Sequence, residues 1–501
     1  MYYFNKIFIL LLKRKLFIVF CLLFFSFHNI FPDDNSDDLI TIFDLTDDDL
    51  FLNETISKQP VIFDLGGSIS TTSRILFKTF RLLPNNQGFE PVPNDKWYGD
   101  FVGKIWTRIQ FQKNRYIHLG IEALVKSDRY NDKYNRNSIV PLFNIDEFYF
   151  NWDFKPGKFI LGRTNYNLKN FLIFNGPLDG IELDINITHF NFKTFAGFTG
   201  FLGIFNPWFN PYKITSLERS YREETNLLHA TQLFQINAEQ SRRIFIGSDF
   251  DIQVLSQHIN PYFLLQFDLA SAYHDLNRNY DINTFHIGYN QEGRIVRNLY
   301  YKVHISGLFG THPTSNDNVF RPIIAGALET NLRLILPKAA NTTFIFGYSV
   351  GTGNGEPAGK WSDDPDDEDK GFWAEKYDGL YNNKFYYFGK FDGGYVLNPV
   401  LSNINSCSIK FLITPINKSK FQWTIYNAIY QTLKLLTTGP ISDDDCDLND
   451  YFVGMEFDIG MIFNFGSYFN LAFDYGVFMP QTAYSDRSPK FKMGATFGVT
   501  F

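Results

Sequence analysis

Residues 490–501 read KFKMGATFGVTF. Counting back from the end, Phe501, Val499, Phe497, Ala495, Met493 and Phe491 are apolar, with Thr500, Gly498, Thr496, Gly494 and Lys492 between them. Successive side chains of a strand point to opposite faces, so strict alternation marks a strand with two unlike sides. The preceding residues repeat the pattern. Tyr451, Val453, Met455, Phe457, Ile459, Met461, Phe463 and Phe465 share one face, and Gly454, Glu456, Asp458, Gly460 and Asn464 share the other. Gly466-Ser467 provides a tight turn. Phe469, Leu471, Phe473, Tyr475 and Val477 return on one side, with Asn470, Asp474 and Gly476 opposite. An aromatic face this long needs a cover in water and none in lipid, while charges on the other face suit a wet interior.

Further alternating segments lie near 421–432, 405–414, 342–350, 323–336, 298–309, 283–292, 261–273 and 243–256. Others lie near 191–199, 179–188, 159–166, 145–154, 117–127, 99–112 and 61–70. Together they predict an all-β transmembrane antiparallel barrel of about 18 strands. One set of connections is short: Lys113–Tyr116, Lys155–Lys158, His189, Gln257–Asn260, Pro337–Asn341, Pro415–Lys420 and Gly466-Ser467. The alternate set is long and includes 71–97, 200–242, 351–404 and 433–450. Short turns on one rim and long loops on the other are the habit of outer-membrane barrels, with both chain ends on the periplasmic side. Closure is required because backbone groups facing lipid have no water to bond.

Composition agrees. Aromatics make up 18% of the 501 residues, and 56 of them are Phe. Beyond residue 31 no apolar run approaches the roughly 20 residues of a helical span. Lys13, Arg14 and Lys15 precede the apolar stretch 16–27, so residues 1–31 resemble an export signal. Asp33, Asp34, Asp37, Asp38, Asp44, Asp47, Asp48, Asp49 and Glu54 then fall in a stretch without a base, so 32–60 is expected to be a flexible periplasmic tail. The barrel is expected over 61–501. A net charge of −7 argues against nucleic-acid binding. Whether Cys407 and Cys446 pair is open from sequence. The acids at 363–369 and 443–450 lack the glycine and terminal Glu of a calcium loop, and a solvated loop is the simpler account. No nucleotide loop, zinc signature or nucleophile elbow is present, so neither enzyme activity nor a cofactor or metal is expected.

Several segments, in order, resemble the alginate-export family of outer-membrane channels. They are Ile145-Asp-Glu-Phe-Tyr-Phe-Asn-Trp-Asp153, Leu161-Gly-Arg163, Asp179-Gly-Ile-Glu-Leu-Asp184 and Leu265-Gln-Phe-Asp268. Phe346-Gly-Tyr-Ser-Val-Gly-Thr-Gly-Asn354, Phe385-Tyr-Tyr-Phe-Gly-Lys-Phe-Asp392, Val453-Gly-Met-Glu-Phe-Asp458 and Tyr475-Gly-Val-Phe-Met-Pro480 follow. Where that family has Ser-Gly-Asp, this chain has Thr352-Gly353-Asn354. The resemblance implies a monomeric porin-like barrel in the bacterial outer membrane that exports an anionic polysaccharide through a basic constriction.

The strand registers give their own account of the interior. Lys104, Arg108, Lys126, Arg163, Lys193, Lys302, Arg333, Lys410 and Lys492 are expected to face inward, together with Asp100, Glu122, Glu147, Asp153, Glu182, Asp184, Asp249, Asp251, Asp268, Glu329, Glu456, Asp458 and Asp474. Such a lumen is mixed, with more acid than base, whereas a polyanion conduit calls for cations. Opposite charges could equally pair as struts. Arg163 stands out as the candidate constriction residue, with a role bracing the wall through Glu147 or Glu182 as the alternative. Phe501, Val499 and Phe497 are the expected signal to the barrel-assembly machinery. The function expected is a channel for small hydrophilic or saccharide solutes in an outer-membrane lipid setting. The alternative is a barrel that displays loops to surface partners.

Overall fold

In a computed structural model the chain divides into Met1–Pro60 and Val61–Phe501. The described residues are 62–78, 81–82, 89–90, 96–129, 137–169, 172–199, 243–269, 283–313, 320–353, 391–437, 441, 446 and 448–501. The export signal at 1–31, the tail at 32–60, the connection 200–242 and the acids at 363–369 lie outside them, as do Asp443, Asp444, Asp445 and Asp447.

Among the described residues twenty strands follow one another: β1 (Ile62–Lys78), β2 (Arg81–Leu82), β3 (Phe89–Glu90), β4 (Lys96–Gln112), β5 (Arg115–Arg129), β6 (Asn137–Phe154), β7 (Gly157–Asn167), β8 (Asn175–Ile187), β9 (Phe190–Phe198), β10 (Arg243–Val254), β11 (Gln257–Asp268), β12 (Asn283–Val296), β13 (Leu299–Pro313), β14 (Phe320–Leu336), β15 (Thr342–Gly351), β16 (Ile404–Lys418), β17 (Phe421–Lys434), β18 (Phe452–Phe465), β19 (Phe469–Pro480) and β20 (Lys490–Thr500). β2 and β3 pair only with each other. The other strands form one antiparallel sheet of 18, each bonded to its chain neighbours. β1 closes it, paired to β20 on one edge and β4 on the other. No strand of this sheet is left with a free edge, which is the condition for a sheet in lipid.

Strand length also fits a bilayer. The barrel strands run from 9 residues in β9 to 18 in β6, against the about 9–11 a tilted transmembrane strand needs. Many exceed their sequence reading. β1 continues to Lys78 rather than ending near 70, and β6 begins at Asn137 rather than 145. The connection expected at 71–97 is shorter by the same residues. Backbone pairing needs no apolar alternation, so it continues where the alternation of residue types has faded.

The register sorts the side chains. Exposed Phe101, Ile105, Ile121, Phe148, Ile305, Phe346, Phe457 and Phe497 belong to the outward alternation. Lys104, Glu122 and Glu147 fall on the other. Short turns at 113–114, 155–156, 188–189, 255–256, 297–298, 337–341, 419–420 and 466–468 share one rim, and the start of β1 and the end of β20 lie at that rim too. The turn at 297–298 was not among the connections read from sequence. Cys407 and Cys446 are not joined in a disulfide; the first is exposed on the outer face and the second is buried.

The interior is not an open tube. Tyr166, Leu168, Leu172, Ile173 and Phe174 turn into the barrel and pack with the inward Leu178, Phe195, Phe245, Leu264 and Leu308. Burying one such side chain contributes about 1.5–3 kcal/mol. A core has therefore formed inside the wall, on the side of β8–β14.

Candidate functional site: the barrel lumen

The inward alternation gathers most of the charged residues singled out in the sequence, and the structure shows what each one touches. Lys104 is bonded to Asp146 and lies 3.9 Å from Glu122. Glu147 is 2.9 Å from His118 Nε2, and the imidazole is stacked between Trp106 and Tyr149. The Arg108 guanidinium lies over the Tyr116 ring, 4.5 Å from its centroid. Glu182 sits between Lys158 at 3.3 Å and Lys193 at 3.6 Å. Asp184 stands opposite Lys158 and Lys193 in register and accepts from Asn186 Nδ2 at 3.1 Å. Asp268 and Arg243 form a buried pair at 3.3 Å. Lys126 is placed by register alone, opposite Asp100 and Val140.

Two pairs of lumen acids do something the sequence did not show. Asp249 and Asp251, two residues apart on one face of β10, hold Lys169, which follows the inward Leu168. Asp249 accepts the Lys169 backbone N–H at 3.0 Å, and Asp251 pairs with the Lys169 ammonium. Glu456 and Asp458 stand in the same relation on β18 and hold a second inward segment, 391–403. Asp458 accepts the Tyr395 N–H at 3.0 Å, and Glu456 accepts those of Val396 and Leu397 at 2.5 and 2.9 Å. Consecutive backbone N–H groups form an anion-binding concavity, and here the wall itself supplies the anion. Gly394 permits the approach. Its φ is 125°, and a Cβ there would lie 2.6 Å from the Glu456 carboxylate. The connection expected as one long loop over 351–404 therefore ends in a strap pinned to the wall.

These contacts change the balance of accessible charge on the inner face. Glu122, Glu182, Asp249, Asp268, Glu456 and Asp458 are all buried. Arg294, Lys302, Arg333 and Lys410, by contrast, line a recess of about 440 Å³ beside Glu292 and His258. The Arg333 guanidinium lies over the Tyr300 ring at 5.3 Å. Among the described residues, Lys302 and Arg333 have no carboxylate within ion-pair distance. Formal counting overstated the acid because it could not separate buried anchors from accessible charge.

Arg163 lies elsewhere. In register it stands opposite Phe148 and Asp179, in the alternation of the outward Leu161 and Ile181. It is only 4% exposed. Nη1 lies 3.0 Å from Asp179 Oδ1, and Nε donates to the Ile145 carbonyl at 2.8 Å. Its partner is Asp179, not Glu147 or Glu182. The preceding Gly162 has a φ of 129°, and a Cβ on it would meet the Phe148 carbonyl oxygen at 2.3 Å. β6 and β7 thus approach closely where the guanidinium is tucked in.

A chain of the buried Tyr262 and His304 with the half-buried Glu329 was also missed. Tyr262 Oη is 2.6 Å from His304 Nε2, and His304 Nδ1 is 3.3 Å from Glu329. Alternation placed Glu329 inward, but nothing in one sequence links it across strands to Tyr262.

No family model matches the chain, and no curated protein matches it. Among solved structures it is similar to many chains, and three of them are as follows. Pseudomonas aeruginosa OccK1 (OpdK) matches at 7% identity and a TM-score of 0.47, covering 87% of this chain and 99% of that one. Acinetobacter baumannii OccAB3 matches at 9% and 0.46, covering 87% and 100%. Pseudomonas aeruginosa OccK11 (OpdR) matches at 10% and 0.43, covering 87% and 96%. The barrel assignment rests on the closed hydrogen-bonded sheet of this chain itself.

Proposed function

We propose that this barrel is a channel that carries small hydrophilic solutes across the bacterial outer membrane. The observation that carries the proposal is the closed wall of 18 strands with an apolar outer belt and accessible charge inside. About 8 strands leave an interior filled by side chains, whereas 16–18 leave room for water. Here two inward segments narrow that room without supplying a catalytic constellation.

The accessible cations favour solutes that bear an anionic group. The wall of Trp106, Arg108, Tyr116 and Tyr149 offers aromatic rings and a guanidinium, which suits a saccharide. Passage of an alginate-like chain is the narrowest form of this reading and rests on the resemblance of short motifs. Monomeric action, delivery by the barrel-assembly machinery and insertion in outer-membrane lipid belong to the same proposal.

Purified protein in planar lipid bilayers should show discrete single-channel conductance, and a silent barrel that is demonstrably folded would overturn the reading. Replacing Lys302 and Arg333 together by alanine should move the reversal potential in a salt gradient toward cation preference, because charges at a narrow lumen set selectivity. An unchanged potential would take the recess out of the permeation path.

Orientation is tested on intact cells. Protease added outside should spare the turns at 113–114 and 466–468 and reach the connection 354–390. Cleavage at the turns with the membrane still sealed would reverse the topology.

A further inference from the structure

The strap 391–403 is fixed at three successive backbone N–H groups, yet it presents one charged side chain to the lumen. Asp392 lies just before the pinned residues. Its side chain is 72% exposed. One carboxylate oxygen is bonded to the Lys410 ammonium, and the other accepts from Tyr430 Oη at 3.0 Å. Lys410 belongs to the wall of the basic recess, beside Arg333 and Lys302. At the first pinned residue, Lys492 donates to the Tyr395 carbonyl at 2.6 Å and lies over its ring at 4.4 Å. The strap therefore cannot slide along the wall without breaking bonds at Tyr395, Val396 and Leu397, just beyond Asp392.

We propose that Asp392 is the selectivity residue of the channel, a carboxylate that the strap holds at fixed depth so that it occupies Lys410 in place of a permeating anion. This rests on the channel reading of the barrel. Three features argue for a role beyond bracing. A brace would be buried, as Glu456 and Asp458 are, whereas Asp392 is open to the lumen. A brace would also need the bond to Lys410, but the strap is already held by Glu456, Asp458 and Lys492. Finally, Lys410 is one of four cations around a single recess, and it is the one that the strap neutralises. Where an anion enters the recess, it meets Arg333 and Lys302 directly and must compete with Asp392 for Lys410.

The test uses the full-length barrel in planar bilayers with a potassium chloride gradient. Asp392→Asn frees Lys410, and the anion-to-cation permeability ratio should rise by about twofold or more, since one charge in a constricted lumen weighs more than in bulk water. Asp392→Glu should stay near wild type. Adding Lys410→Gln to Asp392→Asn should return the ratio toward the wild-type value. Folding of each variant is read from its heat-dependent shift on a gel. If Asp392→Asn folds, conducts and leaves the ratio unchanged, the proposal falls and the channel reading stands. If it lowers folding and leaves the ratio of the surviving channels unchanged, Asp392 is a brace and the proposal is overturned. If the wild-type barrel does not conduct, both readings fall.

Discussion

Replacing Arg163 by alanine should destabilise the folded barrel by about 3–5 kcal/mol while leaving its ion selectivity where it was, because breaking a buried ion pair strands the remaining charge. Without the guanidinium, the Asp179 carboxylate has lost its 3.0 Å partner and the Ile145 carbonyl its donor. Both lie within the wall, where water cannot replace the lost bonds at no cost. The measurement is the urea or heat midpoint of unfolding, followed on a gel, together with a reversal potential on the same purified variant. Lowered stability with an unchanged potential is the outcome expected of a residue on the outward alternation. A clear move toward cation preference would mean that Arg163 reaches the permeation path after all. Asp179→Asn should lose less, since an amide oxygen still accepts from the guanidinium.

Deleting Phe501 should reduce the folded barrel recovered from membranes by about an order of magnitude, given that an unsatisfied backbone group in a lipid setting costs several kcal/mol. Phe501 and Gly67 exchange two backbone hydrogen bonds of 2.9 Å, at the end of the register that joins the last strand to the first. The ring fills the space that a Cβ on Gly67 would occupy, with Cζ at 2.8 Å from that point. The seam therefore uses the terminal residue twice, once through its backbone and once through its side chain. Phe501→Leu keeps the backbone pair and should assemble far better than the deletion. Normal levels of folded, heat-shifting barrel from the deletion would count against the argument.

Much of the fold was legible because lipid and water enforce opposite chemistry on alternate residues. Met455, Phe457, Ile459 and Met461 point out, and Glu456, Asp458 and Gly460 point in, so β18 could be written from sequence with its faces assigned. Strand ends were less legible. Asn137–Asn144 pairs with β5, but its apolar residues Ile139, Val140, Leu142 and Phe143 do not alternate with polar ones. Arg163 was misplaced for a different reason: its charge was read as inward although it shares the alternation of the outward Leu161. The inward segments were invisible because what holds 391–403 is backbone N–H, which every residue except proline carries. What the sequence does offer is the pattern of the anchors. Asp249-Phe-Asp251 and Glu456-Phe-Asp458 each set two acids on one face of a strand, and the first pair proves to hold Lys169 and the second an inward segment.

The apolar core inside the barrel also constrains the order of events during assembly. Leu178, Phe195, Phe245, Leu264 and Leu308 point away from the outer belt. Until Ile173 and Phe174 settle against them, β8–β13 form a sheet with two sticky sides, one meant for lipid and one with nothing yet to meet. Such a sheet invites wrong partners for as long as it lasts. The stretch 172–174 lies just before β8 in the chain, so it is available before the later strands when these are added from the N-terminal side. A chain read in either direction reaches it before the wall can close. Early docking of this short piece shields the growing hairpins from one another, and a variant that delayed it would fail by clumping during insertion rather than by unfolding afterwards.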